Sequence, residues 1–356
     1  MLRIMLAPAY RGRPEVFINQ KVIEAAKKRH KIDKNFKFKV YFCSDTELEV
    51  TGVGDFYDND SSVFRQEKQF LALLKDLQEN DDILFLEAFN PNILSLRLIK
   101  KKTGKIGALF HSSVSIEADA LNKIKGMMEF QNSLIHSLDF IFCATGYLKN
   151  KLLEWFCDNT LGKMCVSGLP IDVNNEIYIE GRQKEKENTI VFTHRWAEDK
   201  NPDTFIDFAI EMQKRQSNLK FLVLTPYENV KKQVGEDIVL RVVGTVPIPN
   251  IEVKICTDKA SYFEELSKAK FVYACADLET FGYSVIEGIA MGALPILNKM
   301  PCYKELYPEK YLFDLKERDF PIKFVEDNMN NFQVDKELVN KITWYSNSAE
   351  RIVNQF

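Results

Sequence analysis

The run Phe271-Val272-Tyr273-Ala274-Cys275 constrains the fold of this chain more than any other stretch. It is short, apolar and rich in aromatic and β-branched residues, the signature of a buried strand. A polar loop follows, Asp277-Leu278-Glu279-Thr280-Phe281-Gly282, and then a segment with helical apolar spacing at Val285, Ile286, Ile289 and Ala290. Strand, loop and helix form the repeating unit of a parallel α/β sheet. Ligands of such sheets sit beyond the carboxyl ends of the strands, so a site is expected in this loop.

Glu279 and Glu287 stand eight positions apart. Were that spacing wholly helical, the rise would be about 12 Å, with the side chains roughly 80° apart around the axis. That is about the length of a nucleoside diphosphate between its ribose and its far end. The backbone N–H groups of a helix start at Phe281, Gly282, Tyr283 and Ser284 suit a diphosphate lying between the two acids. Two surface acids flanking an ordinary helix start, capped by Thr280 or Ser284, fit the same spacing.

The rest of the chain repeats the pattern. Strands are expected at 2–7, 36–43, 83–86, 106–110, 139–144, 189–193, 221–224, 238–243 and 251–256, with helices from Pro14, over 62–79, 92–102, 146–157 and 258–269. Residues 44–61 read as a long polar loop containing Asp58-Asn59-Asp60, and residues 180–188 as a solvated charged linker. The turn Ser167-Gly168-Leu169-Pro170-Ile171-Asp172 makes a natural boundary. Three parts are expected: 1–166, 167–334, and an amphipathic helix over 335–356 that crosses back to the first domain.

After the strand at 189–193 comes His194-Arg195-Trp196-Ala197-Glu198-Asp199-Lys200-Asn201-Pro202. Asn201 and Pro202 suit a helix N-cap and first position. Arg195 and Lys200 are thereby expected at a strand end facing the same crevice as Phe281–Ser284, where a forked guanidinium and an ammonium would stabilise a leaving diphosphate.

Together these residues resemble the family 4 retaining glycosyltransferases, which have the GT-B fold of two Rossmann-like domains facing a central cleft. The match rests on Glu279 and Glu287, on Phe281-Gly282-Tyr283-Ser284, on Gly292-Ala293-Leu294-Pro295, and on Arg195 with Lys200. The resemblance implies catalytic roles for Arg195, Lys200 and Glu279, and for His111, which follows a strand and would line the donor sugar. It implies donor contacts from Gly12, Phe281, Gly282, Tyr283, Ser284 and Glu287. It also implies no separate catalytic base, because the departing phosphate itself takes the acceptor proton; no metal and no cofactor are expected, since the cysteines and histidines form no cluster and Asp58 and Asp60 lie in a turn-like segment, far from a strand end. Residues 165–315 are similar in particular to glycosyltransferases of modified nucleosides, those acting on queuosine in tRNA and virus-encoded enzymes acting on DNA bases.

Composition narrows the partners. Hydrophobic residues make up 46% and charged residues 28%, with a net charge of −3, as in a soluble globular protein. No apolar run is long enough to span a membrane, the seven cysteines hold no Cys-x-x-Cys, and a cytoplasmic location is expected (the host cytoplasm for a viral chain). Through residue 165 there are 24 Lys and Arg against 21 Asp and Glu. That excess and the resemblance point to a nucleic-acid acceptor, DNA ahead of tRNA. A cell-envelope lipid or polysaccharide is the rival acceptor, suggested by Lys21, Lys27, Lys28 and Arg29 on the first helix. A non-catalytic nucleotide-sugar binder and a sugar-nucleotide epimerase are the rival activities.

Overall fold

The computed structural model describes residues 1–8, 14–42, 59–99, 103–116, 120–154, 162–215, 218–226, 229–241, 250–316 and 319–356. It divides into two compact units, Met1–Ile171 with Asn347–Phe356, and Asp172–Ser346.

The first unit runs β1 (Leu2–Met5), α1 (Pro14–Ile32), β2 (Phe38–Tyr41), α2 (Asn59–Asp76), β3 (Asp82–Phe85), α3 (Asn92–Leu96), β4 (Ile106–Phe110), α4 (Met127–Ser137), β5 (Phe140–Cys143), α5 (Gly146–Leu153) and β6 (Met164–Val166). The strands form one parallel sheet in the order β2-β1-β3-β4-β5-β6. Ile83, Leu84, Ile106, Leu109, Ile141 and Phe142 are fully buried, as both faces of a parallel sheet must be. Arg3 is the exception in the sheet, 2% exposed in β1. Its guanidinium donates to Asp81 at 2.8 Å, to Tyr41 Oη at 2.7 Å and to the Asp76 carbonyl at 2.7 Å, so the buried charge is paired.

The second unit runs α6 (Glu176–Gln183), β7 (Glu187–Phe192), α7 (Pro202–Arg215), β8 (Lys220–Thr225), α8 (Asn229–Arg241), β9 (Ile251–Ile255), α9 (Lys259–Lys268), β10 (Ala269–Ala274), α10 (Tyr283–Ala290), β11 (Leu294–Asn298), α11 (Pro301–Leu306), β12 (Leu312–Phe313), α12 (Asp319–Met329) and α13 (Lys336–Ile342). Its parallel sheet has the order β12-β11-β10-β7-β8-β9. The chain builds outward from β7 through β8 to β9, then returns to start β10 on the other flank of β7. That reversal is a topological switch point, and the loops leaving β7 and β10 diverge there.

Three expectations fail. Residues 180–188 are not a linker: they end α6 and begin β7, with Tyr178 and Gly181 buried. Gly181 packs so closely that a Cβ there would lie 2.1 Å from the Met291 sulfur, an approach that charge-rich neighbours conceal in the sequence. Residues 238–241, with their Ile-Val-Leu run, belong to α8 and are helical. The amphipathic pattern over 335–354 is not one helix. It splits into α13, a 3-10 turn at Thr343–Asn347, and α14 (Ser348–Val353), with only residues 347–356 in the first unit. There Lys28 pairs with Glu350 at 2.6 Å, Arg29 donates to the Val353 carbonyl at 2.6 Å, and Phe356 packs on Phe140 with ring centroids 5.5 Å apart.

Candidate active site

The two loops at the switch point of the second sheet are fastened to each other. Asn201 Nδ2 donates to the Cys275 carbonyl at 2.9 Å, and the Asp277 N–H donates to the Asp199 carbonyl at 2.9 Å. The Cys275 thiol faces the carbonyls of Asn201 and Lys200 at 3.2 and 3.4 Å. Asn201 takes φ 49° and ψ 53°, which ends the 3-10 turn Glu198–Lys200 and lets Pro202 start α7. This left-handed conformation is open to few residues besides glycine, and asparagine is one.

The junction brings Arg195, Lys200 and Glu279 together. Lys200 is 8% exposed; its ammonium donates to the Leu278 carbonyl and lies 3.5 Å from Glu279 Oε2. The other oxygen of Glu279 accepts from the N–H groups of Thr280 at 3.2 Å, Phe281 at 3.5 Å and Gly282 at 3.0 Å. The N–H groups of Phe281 and Gly282, expected to meet a donor, are thus engaged by Glu279 in this structure. Burial alone would raise the Glu279 carboxyl. Lys200, His194 and the N–H groups of Phe281 and Thr280 outweigh it and hold the group below its ordinary value, as a carboxylate.

Gly282 sits at φ 81°, directly before α10, where a side chain would be strained and its Cβ would lie 3.0 Å from the Tyr303 ring. The α10 segment accordingly begins at Tyr283, so only the second half of the Glu279–Glu287 spacing is helical. Ser284 lies in the first turn, where the N–H groups of Val285 and Ile286 donate to the Gly282 carbonyl at 3.1 Å. The Tyr283 ring meets the buried Phe281 ring at 5.2 Å. Glu287, 7% exposed, pairs with Lys259 of α9 at 2.7 Å.

Other sequence candidates fall elsewhere. His111 belongs to the first unit, at the carboxyl end of β4, with Nε2 2.8 Å from the Leu86 carbonyl. Gly12 and Asp58 lie outside the described residues; Asp60 is in the first turn of α2. Among the described residues, no group of three His, Cys, Asp or Glu is placed to hold a metal ion, and no helix is long and apolar enough to cross a membrane.

Sequence reasoning gave no role to several residues of the junction. Asp199 Oδ2 lies 3.1 Å from Arg195 Nη2 and 3.3 Å from Lys200 Nζ, bridging the two cations. His194 is 6% exposed, with Nδ1 3.9 Å from Glu279 Oε2; burial, then the Lys200 charge, push its imidazole down to about 4, so it is neutral at pH 7. Among the described residues, His194 Nε2 and the buried Tyr303 hydroxyl have no hydrogen-bond partner. Asn298, at the end of β11, donates to the Ala276 carbonyl at 2.8 Å and ties a third strand end to the junction. Of these, His194 alone is signalled in the sequence, by its position just past the end of β7.

No protein-family model matches the chain. Over 133 residues it is 25% identical to the tRNA-queuosine alpha-mannosyltransferase of Drosophila melanogaster. That match covers 35% of this chain and 32% of the relative, so it spans about a third of the relative's length. Among solved structures, trehalose-6-phosphate synthase OtsA superposes with a TM-score of 0.70 at 12% identity, covering 99% of this chain and 98% of that one. The UDP-forming alpha,alpha-trehalose-phosphate synthase of Burkholderia xenovorans, in complex with glucose-6-phosphate, gives 0.63 at 12% identity, over 84% and 78%. TarM gives 0.59 at 13% identity, over 83% and 55%. Two parallel six-stranded sheets with interleaved helices, matched over nearly the whole chain, are the fold of the GT-B glycosyltransferases.

Proposed function

We propose that this chain is a retaining, metal-independent glycosyltransferase that moves a sugar from a nucleoside-diphosphate sugar to a hydroxyl of a modified nucleoside. The observation that carries the reading is the convergence of Arg195, Lys200 and Glu279 at the switch point of the second sheet, at the start of α10.

In this reading Lys200 and Arg195 take the diphosphate and offset the charge that grows as the sugar C1–O bond breaks. The α10 start, with Ser284, lies along the same phosphates. Glu279, held as a carboxylate, accepts from a sugar hydroxyl, and Glu287 accepts from the ribose hydroxyls. The acceptor oxygen bonds to C1 on the face the phosphate leaves, and its proton passes to the departing phosphate oxygen. No separate base is needed. The donor-side roles that the resemblance implies for His111 and Gly12 stay part of the proposal.

For the acceptor, the relative named above acts, by its name, on tRNA-queuosine, and the names of the solved structures given above mention neither DNA nor a virus. A tRNA nucleoside therefore stands ahead of a DNA base, the reverse of the order read from the sequence, and a cytoplasmic location stays part of the proposal. The test is transfer of labelled hexose from UDP- and GDP-sugars to bulk tRNA, hydroxymethylated DNA, glucose 6-phosphate and a membrane lipid extract, side by side. Transfer to tRNA is expected. Transfer to lipid or to glucose 6-phosphate alone would overturn the nucleoside acceptor, and donor binding without any turnover would leave a nucleotide-sugar binder.

A further inference from the structure

One oxygen of Asp199 faces both cations of the site, Arg195 Nη2 at 3.1 Å and Lys200 Nζ at 3.3 Å. A diphosphate taken up by Arg195 and Lys200 must compete with that oxygen. We propose that Asp199 is an internal competitor of the diphosphate, a side chain that turns away when the donor binds and returns to the cations to expel the spent nucleoside diphosphate. The inference rests on the reading of Arg195 and Lys200 given above.

Two carboxylates crowd Lys200, and the structure distinguishes which of them can yield. Glu279 is fastened by three backbone N–H groups, and its side chain is 18% exposed. Among the described residues the Asp199 carboxylate accepts hydrogen bonds from Arg195 alone and lies 3.3 Å from the Lys200 ammonium, and its side chain is 24% exposed. Its backbone is held independently, because its carbonyl accepts from Asp277 and the following Asn201 is anchored to Cys275. Rotation about the Asp199 Cα–Cβ bond therefore swings the carboxylate into solvent without disturbing the loop.

Charge makes the competition consequential. Two cations facing two carboxylates are neutral as a group, so a diphosphate gains little until one carboxylate leaves. Opposite charges a few ångströms apart in a partly buried site interact strongly enough for that exchange to govern affinity. After transfer, the released diphosphate has a terminal phosphate oxygen in place of its sugar ester and binds the cations more tightly than the donor did. A tethered carboxylate competes for them at a high effective concentration and speeds release.

The experiment compares wild type with Asp199→Asn, Asp199→Ser and Asp199→Glu by calorimetry and stopped-flow dissociation, using UDP, GDP and pyrophosphate as probes. Steady-state kinetics and a thermal melt accompany each variant. The expected result is binding at least tenfold tighter and slower dissociation in Asp199→Asn and Asp199→Ser. Their kcat falls, KM falls by as much or more, and the melts are unchanged. Asp199→Glu, which keeps a competing carboxylate, stays within a few-fold of wild type. Unchanged or weaker binding in the Asn and Ser variants, beside measurable binding in wild type, would overturn the competitor role and make Asp199 a support for the cations. Should wild type bind none of the three probes, the donor assignment falls and this inference with it.

Discussion

Asn201 donates its side-chain amide to the carbonyl of Cys275, 74 positions later, and so locks the loop that carries both cations to the loop that carries Glu279. The same residue holds a left-handed backbone conformation. Asn201→Ala removes the bond and strains the backbone, and is expected to destabilise the chain by about 2–4 kcal/mol. Asn201→Gly keeps the conformation and should lose roughly half of that. Chemical denaturation of the two variants checks the order; equal losses would show that backbone strain contributes nothing.

Arg195→Ala and Lys200→Ala are each expected to lower kcat/KM by about 100-fold or more, since each removes a charge partner of the leaving diphosphate. Their stabilities should differ. The Arg195 side chain is 42% exposed and its loss costs the fold little, whereas loss of the buried Lys200 leaves Glu279 without its cation. Near-wild-type kinetics in both variants would remove them from the site.

Acid should loosen the junction in two steps. His194 is accepted by the fold as a neutral ring whose value is depressed to about 4 from an ordinary 6.5. Its contribution is complete above pH 6.5 and is lost as the pH falls from there toward 4. Glu279, depressed below its ordinary 4.5, contributes above that value and is lost only at still lower pH. The His194 step is worth at most about 3 kcal/mol, a Tm decline of several degrees. Melting curves from pH 7.5 to 3.5 should show it in wild type and not in His194→Leu. An unchanged slope between pH 6.5 and 4 in that variant would assign the decline to other groups.

Glu287→Gln is expected to weaken nucleoside-diphosphate binding about tenfold while leaving the fold intact. An amide has one accepting oxygen where the carboxylate has two, and it loses the charge that faces Lys259 at 2.7 Å. Titration with free UDP and GDP is the measurement, and an unaltered Kd for both would exclude a ribose contact.

Much of the fold could be read from the alternation of apolar strands with helical spacing. Strands such as Ile106–Phe110 and Phe140–Cys143 stand where their apolar runs predicted them. What periodicity could not supply was strand order: nothing local to Thr189–Phe192 or Phe271–Ala274 says that these segments are neighbours, and their adjacency creates the switch point. The misread segments share a cause, tertiary packing overriding local signal. Gly181 and a run of charges hid α6, while Ile238-Val239-Leu240 looked like a strand in isolation. At the site, Arg195, Lys200, Glu279 and Glu287 were nominated by resemblance to a motif. Asp199 and His194 were passed over because their roles come from distances across two loops, which spacing along one chain does not encode.

The return of residues 347–356 to the first unit has a consequence for how the chain is made. Phe356, whose ring lies against Phe140 and Phe142, leaves the ribosome after every residue of the second unit. At roughly 5–20 residues per second, residues 172–346 take roughly 10–35 s to synthesise. Throughout that interval the nascent first sheet lacks the covering segment that α14 begins, and its aromatic strand β5 has no Phe356 against it. The amino-terminal half is therefore completed only after residues 172–346 have been made, although its own strands precede them in the chain.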